Sequence, residues 1–125
     1  MYEIEQTSIR FPNGKRIVFA GEIAEILDFD ECIVVRLDES GTKDLQNIYG
    51  LDYKGNLLWQ LPHPVSFSAE NPYVRVARNG GFVDVVNWDG HVLTVHPKIG
   101  RIMKEDFCSN ETLPPRRLAS VRRWL

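Results

Sequence analysis

The chain is poor in the residues that most directly announce chemistry. Its 125 residues include two cysteines, three histidines and two methionines. Cys32 sits in the apolar run Cys32-Ile33-Val34-Val35 and Cys108 in a polar tail, so no disulfide framework is expected and Cys32 reads as a buried, inert thiol. No apolar run approaches the ~20 residues of a membrane-spanning helix, and Met1-Tyr2-Glu3-Ile4-Glu5-Gln6 lacks the basic start and apolar stretch of a secretory signal. The expectation is a cytoplasmic chain without membrane contact. On that expectation the glycosylation-like triplet Asn110-Glu111-Thr112 is a chance match.

Catalytic and metal signatures are equally scarce. His91 and His96 lie five apart on one predicted strand, an odd separation that turns them to opposite faces, and His63 stands between two prolines. There is no Cys-x-x-Cys, no glutamate-flanked histidine pair and no Asp-rich loop closed by a glutamate. Ser40-Gly41 and the Ser66 to Ser68 stretch lack the strand, turn and helix that expose a nucleophile, and Gly80-Gly81 lacks the helix that completes a phosphate cradle. Most carboxylates fall in turns, where water keeps them ionised, whereas acid catalysis needs apolar walls that push their pKa values apart. The expectation is no enzyme, no cofactor and no metal.

What is present is the grammar of strands. With 43% hydrophobic and 26% charged residues the chain has the material for one core, and disorder or coiled coil is excluded. Period-2 alternation recurs between turn signals spaced eight to fourteen residues apart. Asn13-Gly14 supplies a pair able to take φ > 0 and predicts a hairpin between strands near Glu3–Arg10 and Lys15–Ala20. Glu22 to Leu27 reads as a strand continued across a turn by Cys32–Leu37, with a helix as the alternative. Further hairpins are predicted at Tyr53-Lys54-Gly55-Asn56, Asn79-Gly80-Gly81, Trp88-Asp89-Gly90 and Pro97-Lys98-Ile99-Gly100. About ten short strands follow. The predicted fold is all-β: a single domain of antiparallel meandering hairpins, half-propeller or sandwich-like, over residues 1–106. Residues 107–125 form a basic tail in which Leu118, Val121, Trp124 and Leu125 take helical spacing, so a short C-terminal helix is expected either to dock on the domain or to fray.

Two segments echo each other at an offset of 35 residues: Gly50-Leu51-Asp52-Tyr53-Lys54-Gly55-Asn56-Leu57-Leu58 and Val85-Val86-Asn87-Trp88-Asp89-Gly90-His91-Val92-Leu93. Both read as hairpins with an aromatic before the turn and a glycine in it. They resemble the repeats of quinoprotein-type β-propellers, in which a similar turn precedes an aliphatic-aliphatic-Trp strand such as Leu57-Leu58-Trp59. About four blades are needed to close a propeller, and this chain holds two or three hairpin units, so the resemblance is to blade construction and implies no cofactor. Tyr49, Tyr53, Trp59 and Trp88 are expected to pack on the sheets and not to serve as a stacking platform.

Charge is the main departure from an ordinary domain. The formal net charge is −2, yet residues 1–100 hold fourteen acids and nine bases while residues 101–125 hold three acids and six bases. Between Ala20 and Tyr53 nine acids face two bases. A solvated face accounts for such a run; so does a field that steers a basic partner and repels nucleic acid.

The segments Ile9-Arg10-Phe11-Pro12-Asn13-Gly14-Lys15, Ile33-Val34-Val35-Arg36-Leu37-Asp38, Asn47 to Gln60 and Asn87-Trp88-Asp89-Gly90 together resemble small bacterial β-rich proteins, similar in size and style to the immunity proteins of interbacterial toxin systems, including contact-dependent growth inhibition. The resemblance covers residues 9–104. It implies a non-enzymatic cytoplasmic protein, monomeric by default, that binds one cognate toxin domain, often a nuclease with a basic surface, and occludes its active site. The acids placed on that contact surface are Asp28, Asp30, Glu31, Asp38, Glu39 and Asp44. The competing readings are a propeller-like scaffold or regulatory module and, more remotely, a small enzyme.

Overall fold

The computed structural model describes residues 2–38, 46–62, 73–87 and 90–107. The expected docked or frayed helix of the tail, with Cys108, His63 and Trp88, lies outside them. The described residues form eleven strands and no helix: β1 (Glu3–Ile4), β2 (Ser8–Arg10), β3 (Arg16–Val18), β4 (Ile23–Asp28), β5 (Cys32–Leu37), β6 (Ile48–Asp52), β7 (Leu57–Gln60), β8 (Tyr73–Asn79), β9 (Phe82–Asn87), β10 (His91–Val95) and β11 (Ile102–Phe107). All pairings are antiparallel, and Ile23–Asp28 is strand, not helix. No helix here is long and apolar enough to cross a membrane.

The strands make three sheets, β1-β2-β3, β4-β5-β6-β7 and β11-β10-β9-β8. Each four-stranded sheet is a simple meander, the order of a propeller blade, but the sheets are stacked in layers and do not close into a barrel. The central sheet is covered on both faces. Val34 and Ile48 pack with Val76, Val83, Val85, Leu93 and Val95 of one neighbour. Ile33, Val35, Leu37 and Leu51 pack with Ile9 and Phe11 of the other. Strand β5 therefore has every residue buried. Its run Cys32-Ile33-Val34-Val35-Arg36-Leu37 lacks polar alternation because neither face meets water. Each fully buried aliphatic contributes about 1.5–3 kcal/mol, so this strand anchors the stack.

The one charge in β5 is compensated. Arg36, nearly buried, pairs with the carboxylate of Glu25 on β4, as a buried cation requires. The same Glu25 carboxylate accepts the Val76 backbone N–H at 3.2 Å. Nearby, the fully buried Asn47 donates to the Leu37 and Tyr73 carbonyls, both at 2.9 Å, and accepts the Tyr73 N–H at 3.1 Å. Tyr73 and Val76 lie on β8, the last strand of its sheet among the described residues, which carries a bulge between Tyr73 and Arg75, and the side chains of Asn47 and Glu25 satisfy these backbone groups.

Three local expectations change. The run Glu3–Arg10 is not one strand: it folds back at Glu5, whose N–H bonds the Ser8 carbonyl at 2.8 Å, so that Glu3 pairs with Arg10 and Ile4 with Ile9. In the Asn13-Gly14 turn only Gly14 is left-handed, at φ 91°. Asn13 keeps negative φ because its side-chain oxygen accepts the Lys15 N–H at 2.9 Å, an Asx turn in place of the two-residue primed turn. The 35-residue echo joins the third and fourth strands of one meander to the second and third of the other. It is shared turn chemistry, one strand out of step, and not a repeated blade.

Candidate functional site

Turns from two sheets converge at one end of the stack. The β4–β5 turn, Asp28 to Cys32, faces the β8–β9 turn with Arg78, Gly80 and Gly81 and the β10–β11 turn with Pro97 and Lys98, enclosing an open cleft of about 520 Å³. That volume is in the range of ligand-binding clefts.

Each wall is fixed by specific bonds. The Trp59 indole lies between Gly50 and Gly100, where a Cβ would stand 2.2 and 2.5 Å from the ring, and donates through Nε1 to the Pro97 carbonyl at 2.7 Å. The buried Cys32 thiol donates to the same carbonyl at 3.3 Å. Burial first, and then the Glu31 charge, push that thiol up, away from the thiolate that nucleophilic chemistry needs. Trp59 thus packs into the fold, as expected of it, and holds the β10–β11 turn against the central sheet.

The acids here have distinct roles. Asp28 accepts the Tyr2 hydroxyl at 2.6 Å, and the Tyr53 hydroxyl, which donates to the Phe29 carbonyl at 2.7 Å, stands 3.2 Å from the same oxygen. Both phenols are raised, by desolvation first and then by the Asp28 carboxylate; Tyr53 is pushed up to about 12. Asp28 therefore ties the chain start and the β6–β7 turn to the tip. Glu31 pairs with Lys98 at 2.5 Å, a hydrogen-bonded contact that lowers the glutamate and raises the lysine. Arg78 donates to the Asp28 carbonyl and stacks 4.5 Å from the Phe29 ring centroid. Asp30 is exposed at the turn's outer corner.

Of the six acids singled out in the sequence, Asp28, Asp30 and Glu31 come together at this tip. Asp38 does not join them. It lies beyond the far end of β5, where its N–H bonds the Glu22 carbonyl at 2.7 Å, about 20 Å away at ~3.3 Å per strand residue. Glu39 and Asp44 lie outside the described residues. The reversal at residues 29–31 sends the chain back along the sheet, so an acidic run continuous in sequence is divided in space. Two cations unaccounted for by that run, Arg78 and Lys98, share the cleft, and only the three-dimensional convergence of turns identifies them. Among the described residues no group of histidine, cysteine or acid side chains is arranged to hold a metal ion.

The architecture is that of a layered antiparallel β domain whose turn-built cleft carries mixed charge. Residues 2–107 match the family model described as Domain of unknown function (DUF7957), and the chain belongs to that family. No curated protein matches it.

Proposed function

We propose that the domain is a non-catalytic protein-binding module of the immunity type, working in the cytoplasm and engaging the basic surface of a cognate toxin domain, such as a nuclease, through the β4–β5 turn at the mixed-charge end of its sheet stack. The observation that carries this reading is the display of Asp30 and Glu31 on the β4–β5 turn, exposed and tied to neighbouring turns by the Asp28–Tyr53 and Glu31–Lys98 contacts. Exposed charge accelerates association with a surface of opposite sign. The chemistry-bearing groups of the tip are engaged in holding the fold: the Cys32 thiol and the Trp59 indole on Pro97, and Asp28 on two phenols.

The reading is tested by inspecting whether a neighbouring gene in the native genome ends in a toxin domain, and then by binding kinetics with that domain and growth protection on co-expression. Asp30→Lys with Glu31→Lys should slow association and weaken protection. Unchanged association with unchanged protection would overturn the reading.

A further inference from the structure

Five charged side chains line the cleft: Asp28, Asp30, Glu31, Arg78 and Lys98. Two of them are committed to its walls. Asp28 receives the Tyr2 hydroxyl, and Arg78 donates to the Asp28 carbonyl while lying over the Phe29 ring. Glu31 and Lys98 instead hold each other, at 2.5 Å, with 67% and 57% of their side chains exposed. A pair so open to water gains little, because both charges are well solvated apart and two long side chains lose freedom together. It shifts an equilibrium by a factor of about five at most.

The backbone on either side is bonded independently of this pair. The carbonyl of Pro97, just before Lys98, accepts the Trp59 indole at 2.7 Å and the Cys32 thiol at 3.3 Å, and the Gly100 N–H closes the same turn on the His96 carbonyl at 2.8 Å. Opposite, the Phe29 N–H bonds the Cys32 carbonyl at 2.8 Å and closes the turn that carries Asp30 and Glu31. A flexible ammonium arm is thus delivered from one turn to a carboxylate on another, and the contact can part without undoing either. When Lys98 withdraws, Glu31 and the exposed Asp30 are left on the wall of a cleft of about 520 Å³. A guanidinium or ammonium entering there forms charge-assisted hydrogen bonds with them.

We infer that Lys98 is an internal competitor of the basic partner: its ammonium occupies on Glu31 the place that a lysine or arginine side chain of that partner takes, and leaves when that side chain binds. The inference rests on the proposed function and adds to it a residue that weakens binding. Competition runs through Glu31. The plain loss of one positive charge does not, and this separates the two.

The probe is a tetra-arginine peptide, acetylated and amidated, titrated into the full chain at an ionic strength of about 0.15 M and followed by amide NMR shifts. The shifts should fall on residues 28–32, 80–81 and 98. Lys98→Met should tighten binding by about fivefold, and Lys98→Arg should leave it near the wild-type value. In a Glu31→Gln background, Lys98→Met should gain less than about twofold, since only the screened charge effect remains. Both side chains are exposed, and thermal unfolding checks the fold of each variant. Equal binding by the wild type and Lys98→Met overturns the inference, as does a gain that persists at full size without Glu31, or peptide shifts that fall outside the cleft. With a toxin domain from a neighbouring gene, slower association of Asp30→Lys/Glu31→Lys together with no gain in Lys98→Met overturns the competitor alone. Indifference of that domain to the tip charges overturns the proposed function.

Discussion

Asn47 and Tyr73 are joined by a reciprocal pair of hydrogen bonds: the side-chain amide of Asn47 accepts the Tyr73 N–H and donates to the Tyr73 carbonyl, as a neighbouring strand's peptide would. The same nitrogen reaches the Leu37 carbonyl. One buried amide therefore substitutes for a strand at the free edge of β8 and ties two sheets together.

Replacing Asn47 by alanine removes three buried hydrogen bonds, those to the Tyr73 N–H, the Tyr73 carbonyl and the Leu37 carbonyl, the last of which keeps the Arg36 guanidinium at 3.5 Å. Each costs about 1–3 kcal/mol, and partial relaxation sets the expected loss near 3 kcal/mol. Asn47→Asp keeps the acceptor for the Tyr73 N–H but faces two carbonyls without a donor and buries a charge, so it should cost at least as much. Urea unfolding measures both. A loss below about 1 kcal/mol would show that the clamp is not needed.

The Trp59 seat makes a steric prediction. A methyl group at Gly50 would stand 2.2 Å from the indole, so Gly50→Ala should destabilise by about 2 kcal/mol and shift the Trp59 fluorescence. Pairing Gly50→Ala with Trp59→Leu should recover part of the loss. Equal stability of the wild type and Gly50→Ala would contradict the packing.

Alkaline pH should loosen the tip. Tyr53 ionises at about 12 in the fold against 10.0 in the free side chain, because burial and then the Asp28 carboxylate disfavour the phenolate. A raised folded pKa adds stability that is complete below the unfolded value and is lost as pH climbs through the folded one. Tyr2 shifts in the same direction. The urea midpoint should therefore fall between pH 10 and 12, and Tyr53→Phe should shrink that fall. A Tyr53→Phe profile identical to the wild type would remove Tyr53 from the effect.

The strands were legible because their information is local: alternation, and glycines at Gly14, Gly55, Gly90 and Gly100 that all take positive φ. The stacking was legible only in part. The unalternating run of β5 reports burial on both faces, yet nothing in it names what covers them. Asn47 gave no signal, since its bonding partners are ten and 26 residues away. The acidic stretch misleads as a linear count, because the turn after Asp28 carries Asp38 to the opposite end of the sheet, while Lys98 arrives from a distant hairpin to pair with Glu31.

That division of the acids gives the most direct measurement of the proposed function: association rates with the proposed toxin partner at several salt concentrations, comparing Asp30→Lys/Glu31→Lys with Asp38→Lys. The account predicts that reversal at the tip slows association by about tenfold or more and flattens its salt dependence, while reversal at Asp38 leaves both near the wild-type values. Equal effects at the two ends, or none at the tip, would contradict it.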